Sequence, residues 1–263
     1  MLGLALVDMG GYSTMFLVCS ITYALGVVFA WFMNYEKKQK SPVIEADKEN
    51  TMADKTPAEY KGIWKLIEKK AIIASLINTI FFGGYACILV FLTVYAQEVL
   101  LLNSTQISFF YTVAAVAMLA VRLLTAKVAD RYGALIMIIP GHLAMIAALL
   151  LLAFTAKTSY IAFLAAGACY GIGMAIVSPT LNAIAIVDSP AERGATANAT
   201  FYFMMDFGIL FASAGFGALM DIAPSIESGY NQTFLISVGI IVFSAVFSLI
   251  SLNKKAREKR SAV

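Results

Sequence analysis

Seven times along this chain the sequence runs apolar for roughly 20 residues, the length an α-helix needs to cross a hydrocarbon core of about 30 Å. The stretches are 14–33, 71–95, 107–125, 135–155, 161–187, 195–220 and 233–252. With no water in that core to satisfy backbone N–H and C=O groups, such segments must be helical. Hydrophobic residues make up 60% of the 263 positions and charged residues only 13%. That leaves too few charges to cover a soluble surface. The fold class predicted is an all-α integral membrane protein.

The charges sit in blocks between the stretches, and their sign gives an orientation. The polar segment after the first stretch holds Lys37, Lys38, Lys40, Lys48, Lys55, Lys61, Lys65, Lys69 and Lys70. Placing it in the cytoplasm and threading the chain back and forth puts 18 of the 19 basic residues on that side, with Lys157 the exception. One miscounted crossing would scatter the blocks over both faces. The multi-pass chain is therefore expected in the cell membrane with its C-terminus cytoplasmic.

Within the polar segment, 41–57 has no apolar period and two prolines, the pattern of a linker. Tyr60, Ile63, Trp64 and Ile67 then recur at helical spacing among lysines, which fits either a short surface helix over 58–70 or a plain lead into the next span. Residues 1–7 are apolar but would cover only about 9 Å as a helix before Asp8 and the turn-like Gly10-Gly11-Tyr12. This stub is expected to be the end of a cut helix rather than a signal, which would need a basic start and a small-residue cleavage site. Cys19, Cys87 and Cys169 share no short spacing, so neither a disulfide framework nor a metal site is expected. Gly171-Ile172-Gly173 lacks a third glycine and a preceding strand, so it is no nucleotide-binding turn. No P-loop or metal-ligand cluster occurs, and no cofactor or enzymatic activity is expected.

Charged groups at membrane depth are costly, on the order of 2.5–3.5 kcal/mol on insertion scales, and so point to function. Asp206 lies mid-span with Tyr202 and Asn198 one and two turns before it on nearly the same face. It is the candidate for carrying protons, or else it fixes helix packing through hydrogen bonds. Ser75, Asn78, Phe82 and Tyr85 share one face of their span, and Gly171, Met174, Ser178 and Asn182 share another. Asn78, Tyr85, Ser178, Asn182, Asn198 and Tyr202 are thus candidate cavity-lining residues, with interhelical hydrogen bonding as the alternative role. His142, the single histidine, follows Pro140 in an apolar span and reads as a satisfied interior residue. Gly167 and Gly171 allow close helix approach, and Ser178-Pro179 invites a kink.

The segment Arg122-Leu-Leu-Thr-Ala-Lys-Val-Ala-Asp130-Arg131-Tyr-Gly133, on a short turn between two spans, resembles the signature loop of the major facilitator superfamily. Ser189-Pro190-Ala-Glu-Arg193-Gly194 through Asn198 to Asp206-Phe-Gly208 is similar to the matching stretch of bacterial drug- and metabolite-efflux members. The chain departs from the pattern at Ala126, where the loop often carries glycine, and at Ala134 and Leu135, where basic residues are usual.

The resemblance implies the C-terminal half of a transporter. Residues 1–33 would be a remnant of the first half, the stub of helix five and helix six. Residues 34–70 would be the cytoplasmic linker, 71–252 the six-helix C-terminal bundle, and 253–263 a basic cytoplasmic tail. Arg122, Asp130, Arg131 and Gly133 would form a cytoplasmic gating loop, with no metal. The implied activity is that of a proton-coupled drug or metabolite exporter or antiporter working by alternating access. The alternatives are uptake of a sugar or organic acid, or a non-transporting half that serves as an assembly partner. Expected partners are the lipid bilayer, a small-molecule substrate, protons, and a missing N-terminal half or a second copy, without nucleic acid. A lone fragment is expected to carry out no vectorial transport.

Overall fold

The computed structural model describes residues 2–32, 66–132, 134–155 and 158–261, and every regular element among them is helical. Seven of these helices are long and apolar enough to cross a membrane, one for each predicted stretch. The chain forms two compact units, Met1–Tyr60 and Lys61–Val263.

In the first unit, helix α1 spans Leu2–Phe32 and is interrupted at Gly10 and Gly11 (φ/ψ −159/19° and 69/−176°), where the sequence predicts a turn. The φ of Gly11 is left-handed, a conformation that a β-carbon disfavours. Beyond the break, Thr14 donates its hydroxyl to the Gly10 carbonyl at 2.8 Å.

The second unit opens with a 3₁₀ turn, Lys69–Ala71. Then come α2 (Ile72–Glu98), α3 (Ser104–Tyr132), α4 (Ala134–Leu150) with a π turn at Leu151–Thr155, and α5 (Tyr160–Val187). After a second 3₁₀ turn, Ala191–Arg193, α6 (Gly194–Ile222) and α7 (Ile226–Ser261) complete it. At the start of α3 the Asn103 carboxamide accepts from Gln106 N–H at 2.9 Å, and the Gln106 side chain accepts from Asn103 N–H at 3.0 Å. This reciprocal capping box satisfies two otherwise orphaned donors. The π turn leaves room for Tyr95 Oη to donate to the Leu152 carbonyl at 2.8 Å, tying α2 to the end of α4.

Helix α2 is central, packing against α5, α6 and α7, while α5 joins α3 and α4 to it. Lipid tails are as apolar as leucine, so helices associate by close van der Waals fit rather than by escape from water. Glycines supply that fit at the main crossings. A β-carbon on Gly171 would run into the Ala114 carbonyl, and one on Gly167 would lie 2.9 Å from the Phe110 carbonyl, so α5 rests on α3 through the predicted pair. Gly141 and Gly173 face each other where α4 crosses α5, with the Gly141 carbonyl 3.0 Å from a β-carbon on Gly173. Gly208 of α6 sits on the Thr79 carbonyl of α2, and Gly84 of α2 sits under Ile241 of α7. Phe81, Phe110, Phe163, Phe201, Phe234 and Tyr95 fill the space between, all fully buried.

α3 continues as helix through Tyr132 and α4 starts at Ala134, so the signature segment from Arg122 to Tyr132 is helical. α7 continues to Ser261 and takes in the basic residues after 252. Of the stretch 58–70, Tyr60, Ile63 and Trp64 lie outside the described residues, and residues 66–68 are non-helical, followed by the 3₁₀ turn. α5 passes through Pro179 as one helix, with Thr180 Oγ1 donating to the Ile176 carbonyl at 2.6 Å beside the missing proline donor.

Candidate functional site

The α5–α6 connection is tight because Pro190 takes an extended φ/ψ of −57/140° and its carbonyl then accepts from Arg193 N–H at 2.8 Å. The return lays α6 antiparallel to the end of α5. Asn182, near the end of α5, therefore meets Asn198, one turn into α6. Asn182 Nδ2 donates to Asn198 Oδ1 at 3.0 Å and to Tyr202 Oη at 3.2 Å. Asn182 Oδ1 is buried without a hydrogen-bond partner among the described residues. Three of the predicted lining residues thus form one amide and phenol cluster.

From that cluster a polar strip runs outward along α6. Tyr202 is 45% exposed, and Asp206, one turn on, is exposed as well. Asp206 makes no hydrogen bond or ion pair with any described residue. Beside the strip stand Phe203, Phe207 and Phe211, exposed and in successive ring contact at 4.9 and 5.7 Å. Chemically this is a carboxylate flanked by aromatic faces, an arrangement that can hold an organic cation by charge and ring contact together.

Asn78 and Tyr85 lie elsewhere, inside the bundle. Asn78 is fully buried, and neither atom of its carboxamide has a hydrogen-bond partner among the described residues. Tyr85 stacks on Tyr170 of α5 with ring centroids 5.7 Å apart, and the Tyr170 hydroxyl donates to that of Tyr85 at 3.4 Å. Ser178 is half-buried on α5. Arg122 lies exposed on α3. The side chains of Asp130 and Arg131, and all of Gly133, lie outside the described residues. His142 is buried with both ring nitrogens in hydrogen-bonding contact, as an interior histidine is expected to be. Among the described residues no cluster of His, Cys, Asp and Glu has the makings of a metal site.

Sequence reasoning misses a charged clasp beneath the amide cluster. Glu68 is 1% exposed, just before α2, and pairs with the Arg193 Nε of the α5–α6 connection. Arg193 Nη2 also donates to the Ile67 carbonyl at 3.1 Å, and Lys70 N–H donates to Glu68 Oε1 at 3.2 Å. Glu68 N–H in turn donates to Thr200 Oγ1 of α6 at 3.0 Å. The available signal is one acid within a run of lysines at a span's edge, but a partner 125 residues away is invisible before the helices are arranged.

A sequence model of the Major Facilitator Superfamily matches residues 1–213 of this arrangement of apolar helices. The chain belongs to the major facilitator superfamily. Its function is accordingly the membrane transport of a small molecule, and it is a multi-pass membrane protein. A comparison with curated proteins gives no match. Within this superfamily member, the α6 strip is the described part of the bundle where a membrane-depth carboxylate is exposed.

Proposed function

We propose that the chain works as part of a proton-coupled exporter, an antiporter of the cell membrane that expels an amphipathic organic cation by alternating access. Asp206 carries the proton and Tyr202 with the neighbouring phenylalanines receives the substrate's apolar body. The observation that carries this reading is an exposed carboxylate in the middle of a membrane span, unpaired among the described residues. Leaving such a group against lipid is costly, so it belongs on a wet path or opposite a partner. A second bundle, from a first half or another copy, provides the facing wall, and the rocking of one against the other opens the path to each side in turn. The Asn182–Asn198–Tyr202 cluster holds the inner end of the strip rigid. Proton and cation compete for one carboxylate, which is the simplest form of exchange.

The test is uptake of a cationic dye into inverted membrane vesicles energised by a proton gradient, with this chain and its facing bundle expressed together. Asp206→Asn is expected to lower gradient-driven dye uptake at least about tenfold, the weight of one charge-assisted contact. Tyr202→Phe is expected to weaken it less. Parental uptake rates in Asp206→Asn would overturn the assignment.

A further inference from the structure

His142 of α4 is the chain's single histidine and is fully buried. None of its contacts belongs to the α5–α6 cluster. Its Nδ1 lies 2.8 Å from the Ile138 carbonyl of its own helix. A carbonyl can only accept, so Nδ1 carries a hydrogen. Its Nε2 lies 3.1 Å from Ser244 Oγ of α7. The same Ser244 Oγ lies 3.1 Å from the Ile77 carbonyl of α2.

Ser244 has one hydroxyl hydrogen and two acceptors within reach. When the imidazole is neutral, that hydrogen goes to the Nε2 lone pair, and the Ile77 carbonyl keeps the bond from its own helix. When Nε2 gains a proton, it donates to a Ser244 Oγ lone pair, and the hydroxyl hydrogen turns to Ile77. Every polar group is satisfied in both states, and no heavy atom has to move. Ser248 does not compete for these positions, since its hydroxyl donates to the Ser244 main-chain carbonyl at 2.8 Å.

We propose that His142, Ser244 and the Ile77 carbonyl form a reversible proton-binding site at the α2–α4–α7 crossing, separate from the carboxylate on α6. Uptake adds one proton to Nε2 and breaks no covalent bond. It converts a neutral contact between α4 and α7 into a charge-assisted chain that reaches α2.

The surroundings leave the ring to these partners. From α2 the Phe81 ring stands 5.2 Å away at 73°, and from α5 Ile176 and Val177 pack on the neighbouring Gly141. Of the titratable groups on the packed helices, Tyr85 is engaged with Tyr170, Tyr95 with Leu152, and Cys87 with the Gly84 carbonyl. Tyr230 at the far end of α7 is in tilted ring contact with Tyr95, 5.2 Å between centroids. Among the described residues no acid or second base is hydrogen-bonded to the imidazole.

A single histidine makes the test direct. The full chain, labelled with ¹⁵N-histidine and held in lipid nanodiscs, gives one imidazole whose nitrogen shifts report tautomer and protonation. The expected result is a neutral Nδ1–H ring near neutral pH that becomes doubly protonated on acidification while the protein stays folded. In Ser244→Ala the ratio of protonated to neutral ring at a fixed acidic pH is expected to fall about tenfold, because the cation loses more than the neutral form does. Ser244→Thr, which keeps the hydroxyl, is expected to restore it. A ring neutral at every pH at which the chain is folded, an Nε2–H tautomer, or an unchanged ratio in Ser244→Ala would overturn the proposal. If Ser244→Ala fails to fold, the parent titration alone decides. Neither result depends on Asp206 or on the substrate.

Discussion

Glu68 and Arg193 show how one residue pair can set the register of two helices. Glu68 is buried, so its charge is tolerable only with Arg193 and the Lys70 N–H beside its carboxylate, while Thr200 holds its main-chain N–H. Removing one member of a buried pair typically costs about 3–5 kcal/mol, because the other charge is left uncompensated. Arg193→Ala is therefore expected to lower stability by about 3 kcal/mol in thermal unfolding of the detergent-solubilised protein. Glu68→Gln should cost less, since an amide oxygen can still accept from Arg193 and Lys70. Asn78 presents the opposite case, a buried carboxamide with neither atom partnered. An unsatisfied buried polar group costs about 1–3 kcal/mol, so Asn78→Leu, which keeps the branching but is bulkier, is expected to raise stability by at most about that amount in the same assay. A loss of stability instead would mean that the carboxamide has a partner, such as an internal water. The types of these residues are legible in the sequence, but their partners are not. Asn78 and Asn182 look alike as polar positions in apolar spans, yet only Asn182 meets a second amide.

At the scale of the helix, what the sequence reveals depends on how local the cause is. Hydropathy is a property of contiguous residues, so all seven spans can be placed from the sequence, and the break at Gly10-Gly11 with them. Helix ends are harder, because the end of an apolar run is the edge of the lipid and not the end of the helix. α3 continues through Lys127 and Arg131, and α7 through Lys254 to Arg260, since Lys, Arg, Glu and Ala are good helix formers in water. Crossings divide in the same way: Gly167 and Gly171 stand out as a spaced pair, whereas Gly84, Gly141 and Gly208 acquire meaning only from the helix opposite. A side chain on Gly171 would have to displace the Ala114 backbone, which cannot rotate away. Overpacking of this kind typically costs about 1–3 kcal/mol. Gly171→Val is thus expected to destabilise the bundle by at least about 2 kcal/mol, whereas Gly217→Ala, with open space around it, should change stability little. Equal unfolding midpoints for the two variants would rule out the glycine crossing as a source of α3–α5 affinity.

For the molecule as a whole, the seven spans and the placement of charge constrain each other. Each crossing inverts the side of everything after it, so the basic residues sort to one face only if the count of spans is right. With the seven helices of the structure, every basic residue except Lys157 falls on one side, from the nine lysines between 37 and 70 to the single Arg193 between α5 and α6. This predicts a definite topology, with the ends of α3 and α7 and the Glu68–Arg193 clasp on the cytoplasmic face. Fusions ending at residues 103, 158 and 224 should carry an active alkaline phosphatase and a dark green fluorescent protein. Fusions ending at 132, 189 and 261 should show the reverse. The argument is sharpest at 158, because Lys157 is a single charge set against Arg122, Lys127 and Arg131 before it and Arg193 after it, and orientation follows the larger excess. Phosphatase inactive at both 132 and 158 would mean that α4 does not cross, and would place Asp206 and its aromatic neighbours in the opposite direction along the membrane.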